Sequence, residues 1–248
     1  MLIKNKRYQV NDLQVHLNKK PQGGTLIEGF PGFGLVGVIA TEFLIEHLDA
    51  EKIGNVWSDK LQPTVAVHGS EVIDPIGIYY DAKTKIVILH VHPFATLAGI
   101  EWKLADLIGK LAKDLRVKEV ISLEGVGAFG KSKESSAYYY SKDKKKWEKT
   151  GIKELKEGII MGVTGALLLN LKETPLSCIF AETYSGLPDS RAAAKIIEVL
   201  DSYLGLKVDY KPLLKKAEEL EGKVKEIMSQ SKQATDLKEK KEEMNYVG

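Results

Sequence analysis

The sequence predicts an α/β protein: a mixed, largely parallel sheet sandwiched by helices, with a small inserted β-hairpin and a C-terminal helical arm. Three observations predict it. The runs at 86–92, 119–123 and 177–181 are almost continuously apolar, as strands covered on both faces are. Short β-rich runs alternate along the chain with stretches of helical period, the pattern of a sheet with helices on both faces. One of those helical stretches, about 97–115, carries Ile100, Leu104, Leu107, Ile108 and Leu111 on a single stripe.

In chain order, strands are expected at 25–28, 53–57, 64–67, 76–80, 86–92, 118–123, 158–163 and 176–182. Helices are expected from Leu35 to Leu48, from Leu97 to Leu115, and from Gly165 to Leu171. A fourth belongs to 188-PDSRAAAKIIEVLDSYLG-205, where Asp189 or Ser190 can cap the N-terminus and Gly205 can stop the helix. Residues 131–157 hold nine lysines against five acidic residues and interleave them with Tyr138, Tyr139, Tyr140 and Trp147. Basic and aromatic residues in alternation suit single-stranded nucleic acid, but a β-hairpin, YYYS then KKKW turning at 142–145, accounts for the same residues. Pro212 suits a helix start. Leu213, Ala217, Leu220, Val224 and Ile227 then step by four and three, an a/d seam. The chain therefore divides into a core, 1–211, including the insertion, and a C-terminal helix with a projecting tail, 212–248.

Composition narrows the class. The chain has 248 residues, is 44% hydrophobic and 28% charged, and carries a net charge of +2. No global field points to nucleic acid or an anionic membrane. One cysteine, Cys178, rules out an internal disulfide and a cysteine-based metal cluster, so the cytoplasm is the expected compartment. The first residues have no apolar core of a signal peptide, and no run is long enough to span a membrane. Abundant Lys and Glu with few Cys and Met fit a thermophile.

The stretch 29-GFPGFGLVGVIATEFLIEHL-48 places Gly32, Gly34 and Gly37 at the G-x-G-x-x-G spacing of dinucleotide loops. Gly29, Phe30 and Pro31 delay the first glycine, however, and Pro31 removes an N–H. Asp59 lies where a ribose-binding acid would. The alternative is packing: small residues let a helix approach a sheet closely. Other candidates for chemistry are the strand-end carboxylates Glu28, Glu124 and Glu182. His90 and His92 share a strand face and His68 ends another, but two histidines fall short of the three or four ligands a metal needs. No P-loop, H-E-x-x-H, CxxC or G-x-S-x-G pattern occurs. Neither a cofactor nor a metal is expected.

Three segments taken together resemble the proteasome assembly chaperone 2 family: the loop just quoted, 162-GVTGALLL-169, and 181-AETYSGLPDSRAAAKIIEVL-200. Their order and spacing match over about Gly24 to Leu220. The resemblance implies a phosphorylase/hydrolase-like α/β fold without an established catalytic site, and a protein that is not an enzyme. It also implies homo-oligomers, and a partner in the α-subunits of the 20S proteasome or another adaptor or chaperone. Such proteins engage the proteasome through a C-terminal hydrophobic–Tyr–any tripeptide. This chain ends Met244-Asn245-Tyr246-Val247-Gly248, with the tyrosine third from the end instead of second. Met244, Tyr246, Val247 and Gly248 are thereby the expected partner-binding residues. Gly29, Phe30, Pro31, Gly32, Gly34 and Gly37 form the family-signature loop. The alternative is a nucleotide- or phosphate-using enzyme of ligase or phosphorylase type at that loop.

Overall fold

The computed structural model describes residues 6–95, 98–127, 136–183 and 187–211, with positions 214, 215, 226, 229 and 230 beyond them. The strands are β1 (Lys6–Val10), β2 (Leu13–Leu17), β3 (Thr25–Gly29), β4 (Glu51–Trp57), β5 (Ala66–His68), β6 (Glu71–Ile73), β7 (Ile76–Asp81), β8 (Ile86–Val91), β9 (Glu119–Gly127), β10 (Ala137–Ser141), β11 (Lys153–Glu154) and β12 (Leu176–Thr183). The helices are α1 (Val36–Leu48), α2 (Glu101–Asp114), α3 (Gly162–Asn170) and α4 (Ser190–Leu204).

Ten strands form one mixed sheet in the order β1-β2-β4-β7-β8-β3-β9-β12-β10-β11, and β5 with β6 makes a separate ribbon. Pairing is parallel through the centre, β8 to β3, β3 to β9 and β9 to β12. It is antiparallel from β1 through β8 and between β10 and β12. Two of the antiparallel pairs, β1–β2 and β7–β8, close by tight turns. Asn11 has φ 55° between β1 and β2. Between β7 and β8, Asp81 accepts hydrogen bonds from the Lys83 and Thr84 N–H groups, a side-chain-closed turn.

Helices cover both faces. α1 and α4 pack with Ile27, Ile88, Ile121 and Ile179 on one side. α2 and α3 pack with Leu26, Leu89 and Val120 on the other. Continuous apolar runs in β8 and β12 follow directly, because both of their faces are buried. Asp189 caps α4 through the N–H groups of Arg191 and Ala192, and Gly205 ends it in the left-handed region, as the sequence predicts.

Some expectations are corrected. Residues 158–163 form no strand: Gly162 opens α3 at φ 69°, and Ile159 and Met161 stand 88% and 77% exposed. That apolar run lines a surface instead of joining the sheet. The expected hairpin in the basic insertion is also absent. β10 pairs with β12, Tyr139 opposite Ile179, and beyond it Lys144–Lys146 is a single 3₁₀ turn. That turn folds Trp147 into the core, where it is fully buried, 5.5 Å from the Tyr139 ring and 4.0 Å from the Tyr203 ring. Burying these rings outweighs a local turn preference, and removes Tyr139 and Trp147 from any base-stacking surface. Positions 211, 214, 215, 226, 229 and 230 are helical and exposed, in keeping with a C-terminal helix. Residues 131–135, the a/d positions Leu213, Ala217, Leu220, Val224 and Ile227, and the tail with Met244, Tyr246, Val247 and Gly248 lie outside the described residues.

Candidate functional site

The three signature segments, far apart in the chain, meet at the C-terminal edge of the parallel strands. Gly29 ends β3 directly against Gly37 of α1, so that a Cβ on either would collide with backbone. The glycines thus bring α1 down onto the sheet. Gly32 leaves room for the Glu124 carboxyl, which a Cβ there would strike. Thr164, in the second segment, donates its hydroxyl to Glu124 Oε2 at 3.1 Å. Gly34 adopts φ 66°, and its carbonyl accepts the Asp189 N–H from the third segment at 2.9 Å. Thr183 donates to Asp189 Oδ2 at 2.8 Å and packs on Gly34.

Beside this junction lies a cavity of about 1060 Å³. Its walls are the Phe30–Phe33 loop, the end of β9 from Glu124 to Gly127, the entry of α2, and the loop 157–162 before α3. The loops leaving the neighbouring strands β3 and β8 lead to helices α1 and α2 on opposite faces of the sheet, the place where open α/β sheets bind ligands. Most of the lining is apolar. Its ionisable members among the described residues are Glu101, Glu124 and Glu157, with no lysine or arginine. A phosphate would meet like charge and no cation, so this donor set fits a nucleotide poorly.

Two strand-end acids sit together under the cavity. Glu28 and Ser122 are opposite each other in register, and Glu124 follows two residues on, on the same face. Burial pushes the Glu124 carboxyl up to about 7, against the opposing hydrogen bonds from Thr164 and the Gly125 N–H. Glu28 is fully enclosed, and burial holds its carboxyl well above the usual carboxylate range, with nearby Glu124 adding to the rise. Ser122, opposite it in register, pulls against that rise, and its hydroxyl also lies 2.9 Å from Thr164 Oγ1. Glu182 is not part of this pair: Tyr138 donates to it at 3.1 Å. Cys178 is buried nearby, its thiol pushed up by burial and by both acids.

His90 and His92 lie over α1, on the opposite face of the sheet from the two acids. His90 Nδ1 is 2.8 Å from Thr41 Oγ1 and Nε2 is 2.9 Å from Glu42 Oε2. His68 is exposed on the separate ribbon and Asp59 is exposed after β4; neither joins the site. Sequence reading missed Thr41, Glu42, Thr164 and Thr183, since hydroxyl and acid partners inside helices or at strand ends carry no spacing signal. Among the described residues, no helix is long and apolar enough to cross a membrane.

A ten-stranded mixed sheet, flanked by helices on both faces and gathered by glycine segments at one edge, defines an α/β protein. The chain belongs to the PAC2 family, whose model matches residues 26–228. It is similar to the crystal structure of PbaA from Pyrococcus furiosus, an archaeal homolog of proteasome-assembly chaperone. The two are 33% identical, with a TM-score of 0.77 over 90% of this chain and 99% of PbaA. P. furiosus PbaB, an archaeal proteasome activator, is 22% identical with a TM-score of 0.70 over 88% of this chain and 99% of PbaB, and so shows the shared fold. An uncharacterised protein of Methanocaldococcus jannaschii is 30% identical over 83% of this chain and 85% of the relative.

Proposed function

We propose that this chain is a non-enzymatic, homo-oligomeric chaperone or adaptor of the proteasome-assembly type, working in the cytoplasm. The observation that carries this reading is the 33% identity to PbaA over nine-tenths of the chain. The core, 1–211, sets the geometry of the oligomer, and the segment 212–248 projects from it. Met244, Tyr246, Val247 and Gly248 anchor a partner: a 20S proteasome α-subunit, or another adaptor or chaperone. An aromatic and a methionine at a chain end supply much of the energy of a small contact, and several copies on one oligomer multiply it. The cavity lining, acidic and without a cation among the described residues, supports a binding protein over a phosphate-using enzyme.

The test deletes residues 241–248 and compares capture of archaeal 20S α-subunits and oligomer mass by native mass spectrometry. Capture is expected to be lost while the mass of the oligomer is kept. Unchanged capture overturns the tail assignment, and a monomeric wild-type protein overturns the oligomeric one.

A further inference from the structure

The cluster on the α1 face of the sheet has a composition that the chaperone reading leaves unused. We propose that Glu42, His90 and His92 form a binding site for a divalent transition-metal ion, Zn²⁺ above all.

The three side chains each turn one ligand atom to a common point, and all three atoms lie within 4.8 Å of one another. Two are imidazole nitrogens and one is a carboxylate oxygen. That set suits Zn²⁺ and its neighbours, which accept nitrogen, while Mg²⁺ and Ca²⁺ prefer oxygen alone. Three protein ligands leave a fourth position for water or a partner's group.

The ligands are held in place from behind. His90 stands on β8 with its side chain 1% exposed. Thr41 Oγ1 also lies 2.9 Å and 3.1 Å from the Gly37 and Val38 carbonyls, which can only accept. Its proton therefore goes to the helix backbone, and its lone pair receives the proton on His90 Nδ1. That tautomer leaves His90 Nε2 with a lone pair pointed at a carboxylate 2.9 Å away. Positive charge belongs between these two atoms, a proton in the metal-free protein and a metal ion in its place when one binds, and Thr41 is the outer hydrogen-bond partner that metal-binding imidazoles keep. The His92 ring lies 4.5 Å from the His90 ring at 89° and stacks on Phe94 at 5.4 Å. Its buried Nε2 has no hydrogen-bond partner among the described residues, an orphan that a metal bond would satisfy. Glu42, with 36% of its side chain exposed, provides the entrance from solvent.

The test titrates tag-free, chelator-treated full-length protein with Co²⁺ and Zn²⁺. One equivalent of Co²⁺ is expected to produce the intense visible bands of a four- or five-coordinate ion, and Zn²⁺ is expected to displace it and raise the thermal midpoint. Glu42→Gln and His92→Ala should abolish the bands. Thr41→Val should weaken binding by about 10- to 100-fold. Should His92→Ala fail to fold, the partly exposed Glu42, as Glu42→Gln, carries the comparison. The proposal is overturned if wild-type protein leaves Co²⁺ with the pale spectrum of its hexaaqua ion, or if Glu42→Gln binds as wild type does.

Discussion

The backbone N–H of Asp189 donates to the carbonyl of Gly34 at 2.9 Å, which ties the entry of α4 to the glycine loop 155 residues earlier in the chain. Asp189 uses its side chain at the same time to cap Arg191 and Ala192 and to receive Thr183. Asp189→Ala removes the cap and orphans two N–H groups. It should lower stability by about 1–2 kcal/mol, read as a fall in the urea midpoint. Asp189→Asn, which still accepts, should retain more than half of that.

Gly37 makes the closest approach between helix and sheet. A Cβ there meets the Leu123 carbonyl and stands 3.0 Å from Gly29 Cα. Both obstacles are backbone, so nothing can swing aside. Gly37→Ala is expected to cost roughly 1–3 kcal/mol despite its better helix propensity. For a chain of this size each kcal/mol is about 2–4 °C of thermal midpoint.

Glu124 predicts a pH dependence. Its carboxyl is raised from 4.5 to about 7 by burial. The folded state therefore binds the proton more tightly than the unfolded chain. The contribution is full below about pH 4.5 and is lost as pH rises through about 7, to at most ~3 kcal/mol. Glu124→Gln keeps an acceptor for Thr164 and never ionises. It should match wild type near pH 5 and be the more stable of the two at pH 8, measured as the difference in urea midpoint between those pH values. An equal difference at both values would contradict the burial argument.

Trp147 joins the basic insertion to the core. It stacks on Tyr139 and Tyr203 and donates Nε1–H to Ser177 at 3.2 Å, while Tyr203 donates to Glu119 at 2.8 Å. Trp147→Ala should cost about 3–5 kcal/mol. Trp147→Phe, which keeps the stack and loses the indole hydrogen bond, should cost markedly less. Guanidinium unfolding followed by far-UV circular dichroism distinguishes the two.

Much of the central architecture was legible in the residues themselves. Strand β3, the apolar β8 and β12, α1, and α4 with its caps follow from local pattern, because continuous burial and helical period leave their mark on neighbouring residues. The packing role of the glycines at 29–37 was legible too, since Pro31 and the late first glycine spoil a dinucleotide loop. The N-terminal hairpin was missed although Leu13, Val15 and Leu17 alternate after an Asn-Asp turn, a weak but readable signal.

What the sequence alone determined is an α/β protein of the PAC2 type whose small residues seat a helix on a sheet. Only the tertiary structure decided that Trp147 is core and not a turn of a hairpin, and that Ile159 and Met161 rim a cavity and not a strand. It alone brought Glu28 to Glu124, and Glu42 to His90 and His92. Those outcomes depend on contacts between segments tens to more than a hundred residues apart. Local propensity is silent on them, because the energy that settles them is burial and hydrogen bonding between elements the chain brings together only when folded.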